Sequence, residues 1–144
     1  MARETVAVGA DHGGYVMKTE LARQLSEMGF EILDLGTDSD ASVDYPDYAE
    51  RVVEAIKDGR ATRGLLVCGS GIGMSIAANR HPGIRAALCH DVTSATLSRQ
   101  HNDANILVLG ERLIDSELAK KCLFAFFSTE FEGGRHERRV AKLG

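Results

Sequence analysis

The stretch Cys68-Gly69-Ser70-Gly71-Ile72-Gly73-Met74-Ser75 joins a sulfur nucleophile or base to a glycine-rich turn. Before it, Gly64-Leu65-Leu66-Val67 reads as a buried parallel strand. After it, Ser75-Ile76-Ala77-Ala78-Asn79 reads as a short helix. A strand, a glycine turn and a helix start aim backbone N–H groups at one point, and the positive helix end draws negative charge there. Cys68 falls at the carboxyl end of the strand, where open α/β sheets place their ligands. The same helix end favours its thiolate. The loop therefore offers a base or nucleophile beside an anion hole. Its glycines run G-x-G-x-G, which is neither the dinucleotide fingerprint nor a P-loop. Taken alone, the loop is served equally well by a packing role for the glycines and apolar filling by the cysteine.

Other polar residues group around the strand ends. Asp11 and His12 follow the first strand, the loop leading to Tyr45 follows the second, Cys68 and Ser70 follow the third, and Arg112 follows the fifth. His101 and Asn102, which end the helix before the fifth strand, are grouped with them. Arg135 and Arg139 lie one helical turn apart and face the same way. Guanidinium groups bind phosphate through paired hydrogen bonds, so a base, an anion hole, imidazoles and arginines point to a small phosphorylated substrate. Cys89 and Cys122 sit in apolar patterns and read as core, and His81 and His90 read as solvated turn residues. His136 suits a phosphate contact or a surface position equally. Asp11 also suits a helix cap, and Tyr45 an interface.

Short β-rich runs at 5–9, 30–35, 64–67, 84–89 and 105–109 must position these groups. Between them, Met17, Leu21, Leu25 and Met28 recur at helical spacing and Gly29 closes that helix. Residues 37–44 form a polar surface loop, and Pro46 opens a helix striped by Ala49, Val52, Val53 and Ile56. Asp91 caps a helix over 92–100, Asp115 caps another bearing Leu118, Cys122, Ala125 and Phe126, and 135–143 form a short basic helix. The alternation predicts an α/β, Rossmann-like three-layer sandwich: a five-stranded parallel sheet with helices on both faces. The C-terminal helix has little room left on that unit and is expected to reach a partner subunit, with packing on its own chain as the alternative.

The 144 residues suit a single domain over 1–144. A net charge of −4 argues against general nucleic-acid binding. No apolar run approaches the roughly 18 residues of a membrane span. Met1-Ala2-Arg3-Glu4-Thr5 leads straight into a strand and carries no signal-peptide apolar region. Three widely spaced cysteines fit neither a disulfide framework nor a zinc site, so a reducing, cytoplasmic setting is expected.

Five stretches in order, Gly9-Ala-Asp-His-Gly-Gly14, Asp44-Tyr-Pro-Asp-Tyr48, Cys68-Gly-Ser-Gly-Ile-Gly73, Ser98-Arg-Gln-His-Asn-Asp103 and Glu132-Gly-Gly-Arg-His136, resemble ribose-5-phosphate isomerase type B, of the ribose/galactose isomerase family. The resemblance covers nearly the whole chain. It implies aldose–ketose isomerisation through an enediolate, without metal or cofactor. Cys68 would carry the proton between C1 and C2, and Ser70 with the amides of Gly69, Gly71 and Gly73 would hold the enediolate oxygen. His101 would open the sugar ring, and Asp11, Tyr45 and Asn102 would touch hydroxyls. His12, Arg112, Arg135 and Arg139 would hold phosphate, some of them from the second chain of a homodimer, with a dimer of dimers as a further assembly. Some relatives use a glutamate inside the glycine loop instead of the cysteine; Met74 occupies that region here, so the cysteine chemistry is expected.

Two alternatives stay open. One is an isomerase of a different sugar phosphate, such as galactose 6-phosphate, allose 6-phosphate or a tetrose 4-phosphate, because chain length is read by pocket depth. The other is a nucleotide-binding α/β module in which Asp34 holds a ribose.

Overall fold

The computed structural model describes residues 3–144; Met1 and Ala2, read above as the lead into the first strand, lie outside the described residues. In chain order the elements are β1 (Thr5–Ala10), α1 (Tyr15–Glu27), β2 (Glu31–Asp34), α2 (Tyr45–Lys57), β3 (Arg63–Cys68), α3 (Ile72–Asn79), β4 (Ala86–Leu88), α4 (Val92–Gln100), β5 (Ile106–Gly110), α5 (Ser116–Ser128) and α6 (Arg135–Ala141). The strands form one parallel sheet in the order β2-β1-β3-β5-β4.

The alternation of side chains along each strand divides the core into two faces. Val6, Val8, Leu65, Val67, Leu107 and Leu109 face α1, α4 and α5. Ala7, Leu66, Cys68, Ile106 and Val108 face α2 and α3. Leu65, Leu66 and Val67 are fully buried, which is why β3 reads as an unbroken apolar run. The side-chain caps read from the sequence form as expected: Asp91 accepts from the Ser94 amide at 2.6 Å and Asp115 from the Leu118 amide at 2.8 Å.

Four local readings are corrected. Helix α3 starts at Ile72, three residues earlier than the apolar pattern implies, so Gly73 and Met74 belong to its first turn. Gly71 makes this start possible by taking a φ of +79° at the N-cap. Strand β4 is shorter than 84–89, because side chains take the place of neighbouring strand backbone there. Asn79 bonds both backbone groups of Ala86, and Asn105 Oδ1 accepts from the Arg85 amide. Thr37, placed in a surface loop, is buried, since its amide donates to the Ala10 carbonyl and extends the pairing of β1. His81, read as solvated, pairs with Glu50 at 2.6 Å.

The start of α1 rests directly on β3. A Cβ on Gly14 would lie 2.3 Å from the Val67 carbonyl oxygen, a backbone atom that cannot move aside cheaply. Gly14→Ala is therefore expected to cost at least about 1–3 kcal/mol of stability, read as a lowered midpoint in urea with the slope retained. An unchanged midpoint would show that α1 can lift off β3 at no cost.

Candidate functional site

Chain direction through the sheet reverses between β1 and β3: β1 leads outward to β2, and β3 leads the other way towards β4 and β5. Ligands of open α/β sheets bind at this crevice, beyond the carboxyl ends of the strands. Two loops meet there. A Cβ on Gly13 would lie 3.2 Å from the Gly69 amide nitrogen and 3.3 Å from Asp11 Oδ1. Asp11 is buried and accepts from the Gly13 amide at 2.9 Å, which fixes the β1 loop; it caps no helix, because Gly14 occupies that position. His12 Nδ1 accepts from the Val43 amide at 3.1 Å, so the neutral ring carries its proton on Nε2.

Cys68 is buried at the end of β3, and its Sγ accepts from the Gly71 amide at 3.1 Å. The sulfur is thus held at the amino end of α3, where backbone donors favour negative charge. Ser70 Oγ accepts from the Ile72 amide at 3.2 Å. The Arg112 guanidinium lies over Gly69, where an added Cβ would come within 3.1 Å of Nη1, and the Arg112 amide donates to the Gly69 carbonyl. The Tyr45 ring lies against Gly73, 2.5 Å from where a Cβ would be. Asp11, Tyr45, Cys68, Gly69, Ser70, Gly71, Gly73 and Arg112 therefore gather beyond the carboxyl ends of β1 and β3, with His12 in the same β1 loop.

His101, Asn102, Arg135 and Arg139 do not join this group. Helix α4 leaves the carboxyl end of β4 and runs back against the strands, so its last turn lies at their amino ends. Asn105, three residues beyond Asn102, donates to the Arg85 carbonyl just before β4. The five residues of β5, about 13 Å at the usual rise, separate that end from Gly110, which pairs with Cys68. Grouping His101 and Asn102 with the carboxyl ends is thus corrected: a helix antiparallel to the strands delivers its last residues to the opposite edge.

At that edge a second constellation forms. His101, Asn102, His136, Arg139, Val140 and Leu143 line a cavity of about 290 Å3. The His101 and His136 rings stack, with centroids 4.4 Å apart and planes 16° from parallel. His136 is the buried residue of α6, which settles its two readings against a surface position and docks α6 on its own chain. Arg135, Arg138 and Arg139 stay exposed. Glu132, read from the sequence as part of a chain break and of the last family-like stretch but given no role, places Oε1 3.9 Å from His101 Nε2 and 3.7 Å from His136 Nε2. A carboxylate four residues before a histidine in a histidine- and arginine-rich segment was the available signal. Asp103 takes a positive φ of 47° and pairs with Arg85 and Arg99, which pins the turn carrying His101 and Asn102.

Burial holds the His136 pKa below its ordinary value, with His101, Arg135 and Arg139 adding to the effect and Glu132 opposing it. The neutral ring is the docked form. The unfolded chain binds more protons in this window, so the contribution is complete above the ordinary value of 6.5 and is lost as pH falls below it. Thermal midpoints of wild type and His136→Asn, compared from about pH 8 to about pH 5, should converge as the medium becomes acid. A constant difference across the range would contradict this. Cys89 and Cys122 are buried in the core as expected, and burial raises both thiol pKa values, that of Cys122 to about 11.

The chain matches known proteins over nearly its whole length. The family model described as Ribose/Galactose Isomerase matches residues 6–143. Ribose-5-phosphate isomerase B of Escherichia coli is 47% identical, covering 96% of this chain and 93% of that protein. D-erythrulose-4-phosphate isomerase of Pectobacterium atrosepticum is 43% identical, covering 97% and 93%. The solved ribose-5-phosphate isomerase B structures of Clostridium thermocellum and Thermotoga maritima each align with a TM-score of 0.95, at 50% and 51% identity. They cover 97% and 99% of this chain and 95% and 98% of their own. The parallel sheet is thus that of a sugar-phosphate isomerase. The chain belongs to the ribose/galactose isomerase family.

Proposed function

We propose that the chain interconverts D-ribose 5-phosphate and D-ribulose 5-phosphate through an enediolate, in a site completed by a second copy of itself. The observation that carries this reading is Cys68 Sγ held by the Gly71 amide at the switch point, with the Arg112 guanidinium above Gly69. The C2 hydrogen of an open-chain aldose is weakly acidic, so its removal needs a placed base and donors for the oxyanion that forms. Cys68 takes the proton from C2 and returns it to C1. Ser70 and the amides of Gly69, Gly71 and Gly73 face the enediolate oxygen. Asp11 and Tyr45 contact hydroxyls, and His12 and Arg112 contact phosphate.

The ring-opening imidazole, His101, comes from the partner, with Asn102 for a hydroxyl and Arg135 and Arg139 for phosphate. The separation of these residues from Cys68 by the length of β5 supports this arrangement, as does the self-complementarity of two-fold interfaces. The nucleotide-binding alternative loses its acid: Asp34 grips the buried Lys18 ammonium at 2.9 and 3.0 Å and accepts from the Gly36 amide. A second reading, isomerisation of a tetrose 4-phosphate, is favoured by the relative named D-erythrulose-4-phosphate isomerase. Ranking tetrose, pentose and hexose phosphates by kcat/KM tests the choice. Ribose 5-phosphate is expected first, and a tetrose phosphate at the head would replace it.

A further inference from the structure

We propose that His101, Glu132 and His136 form a binding site for a divalent transition-metal ion of the zinc class, and that an ion held there inhibits the isomerase by occupying His101 Nε2. The second half rests on the assignment of ring opening to His101; the first half stands without it.

Two imidazoles and a carboxylate are the donor set of many open zinc sites, which leave further positions to water or substrate. Among the described residues this is the one group of three such side chains whose ligand atoms all lie within 4.8 Å of one another. Zinc binds imidazole nitrogen and carboxylate oxygen at about 2.0–2.2 Å, which sets neighbouring tetrahedral donors roughly 3.3–3.5 Å apart. The Glu132 oxygen stands at 3.9 and 3.7 Å from the two Nε2 atoms, so each contact must close by only a few tenths of an ångström. The two rings are stacked, 16° from parallel, so each must turn for both lone pairs to meet one ion beside Glu132.

The backbone carrying the donors is fixed. The His101 amide donates to Leu97, the Glu132 amide to Gln100 and the His136 amide to Gly133. The half-exposed Glu132 side chain retains the freedom to close on an ion, and the adjoining cavity admits water to the remaining position. Arg139 lines the same cavity and Arg135 flanks His136, and their charge opposes a dication. One carboxylate offsets them only in part, so affinity is expected in the micromolar range, that of an inhibitor and not of a resident ion. The ion fixes His101 Nε2 in coordination and withdraws it from proton transfer to the sugar ring.

The test uses the full-length protein without a histidine tag. Titration with Co2+ should give the visible absorption of a low-symmetry, nitrogen- and oxygen-ligated ion, and calorimetry with Zn2+ should give one ion per chain. Glu132→Gln and His136→Asn, each checked for fold by circular dichroism, should weaken Zn2+ binding about tenfold or more. Cys68→Ala should leave it unchanged. Zn2+ should inhibit wild-type turnover of ribose 5-phosphate, and a chelator should restore it. Glu132→Gln should need about tenfold more Zn2+ than wild type to lose the same fraction of its own rate. Unaltered binding in both variants, or binding lost in Cys68→Ala instead, would overturn the site. Zn2+ bound at these residues without inhibition would overturn the role given to His101 and leave the site standing.

Discussion

Cys68→Ala should lower kcat for ribose 5-phosphate by about 10³-fold or more while KM changes little. The side chain is small and buried, and its removal spares the residues proposed to hold phosphate. A loss confined to kcat is the signature of a group whose work is done in the transition state. General-base catalysis supplies about 10²–10⁴-fold in typical cases, or roughly 3–5 kcal/mol of barrier. The other cysteines serve as internal controls. Cys89→Ala and Cys122→Ala should cost stability and spare the rate, because both thiols lie in the core beneath α4 and α5. Retention of most of the wild-type kcat in Cys68→Ala would remove the cysteine from the chemistry.

The second large effect is a recovery. Cys68→Ala and His101→Asn chains, each nearly inactive with cyclic substrate, should regain activity when unfolded together and refolded. Random pairing makes about half of the dimers mixed, and in each mixed dimer one site carries both lesions and the other carries neither. About a quarter of all sites are then intact, and activity should approach that fraction. Arg139→Ala in place of His101→Asn should behave alike, since Arg139 lines the same cavity as His101. If each chain builds its own complete site, every site keeps one lesion and mixing restores nothing. That result would falsify the shared site and leave the base assignment untouched.

Much of this was legible in the residues. The short apolar runs of β1, β3 and β5, the caps Asp91 and Asp115, and the Cys68 loop at a strand end are local signals, and local signals survive folding. The start of α3 was hidden because Gly71 and Gly73 have poor helix propensity, and only the packing of Leu88 and Leu109 on Gly71 and of Tyr45 on Gly73 fixes the turn. The start of β4 was hidden because Asn79 and Asn105 bond its backbone through side-chain amides. The stack of His101 on His136 joins residues 35 positions apart on two helices, a contact that no local pattern encodes. Which edge of the sheet a residue reaches follows from the antiparallel run of helix against strand, and this rule moves His101 away from Cys68.

On the proposed shared site, the placement of sulfur and imidazole at opposite ends of the strands of one chain makes catalysis depend on assembly. On that reading a single chain, newly synthesised or dissociated by dilution, carries both halves of a site and completes neither. Specific activity should therefore fall as the protein is diluted below its dimer dissociation constant, and the unpaired chain leaves sugar phosphates untouched. Complementary ends of this kind can also join head to tail without limit; a two-fold arrangement satisfies both ends within one pair and leaves none free to propagate.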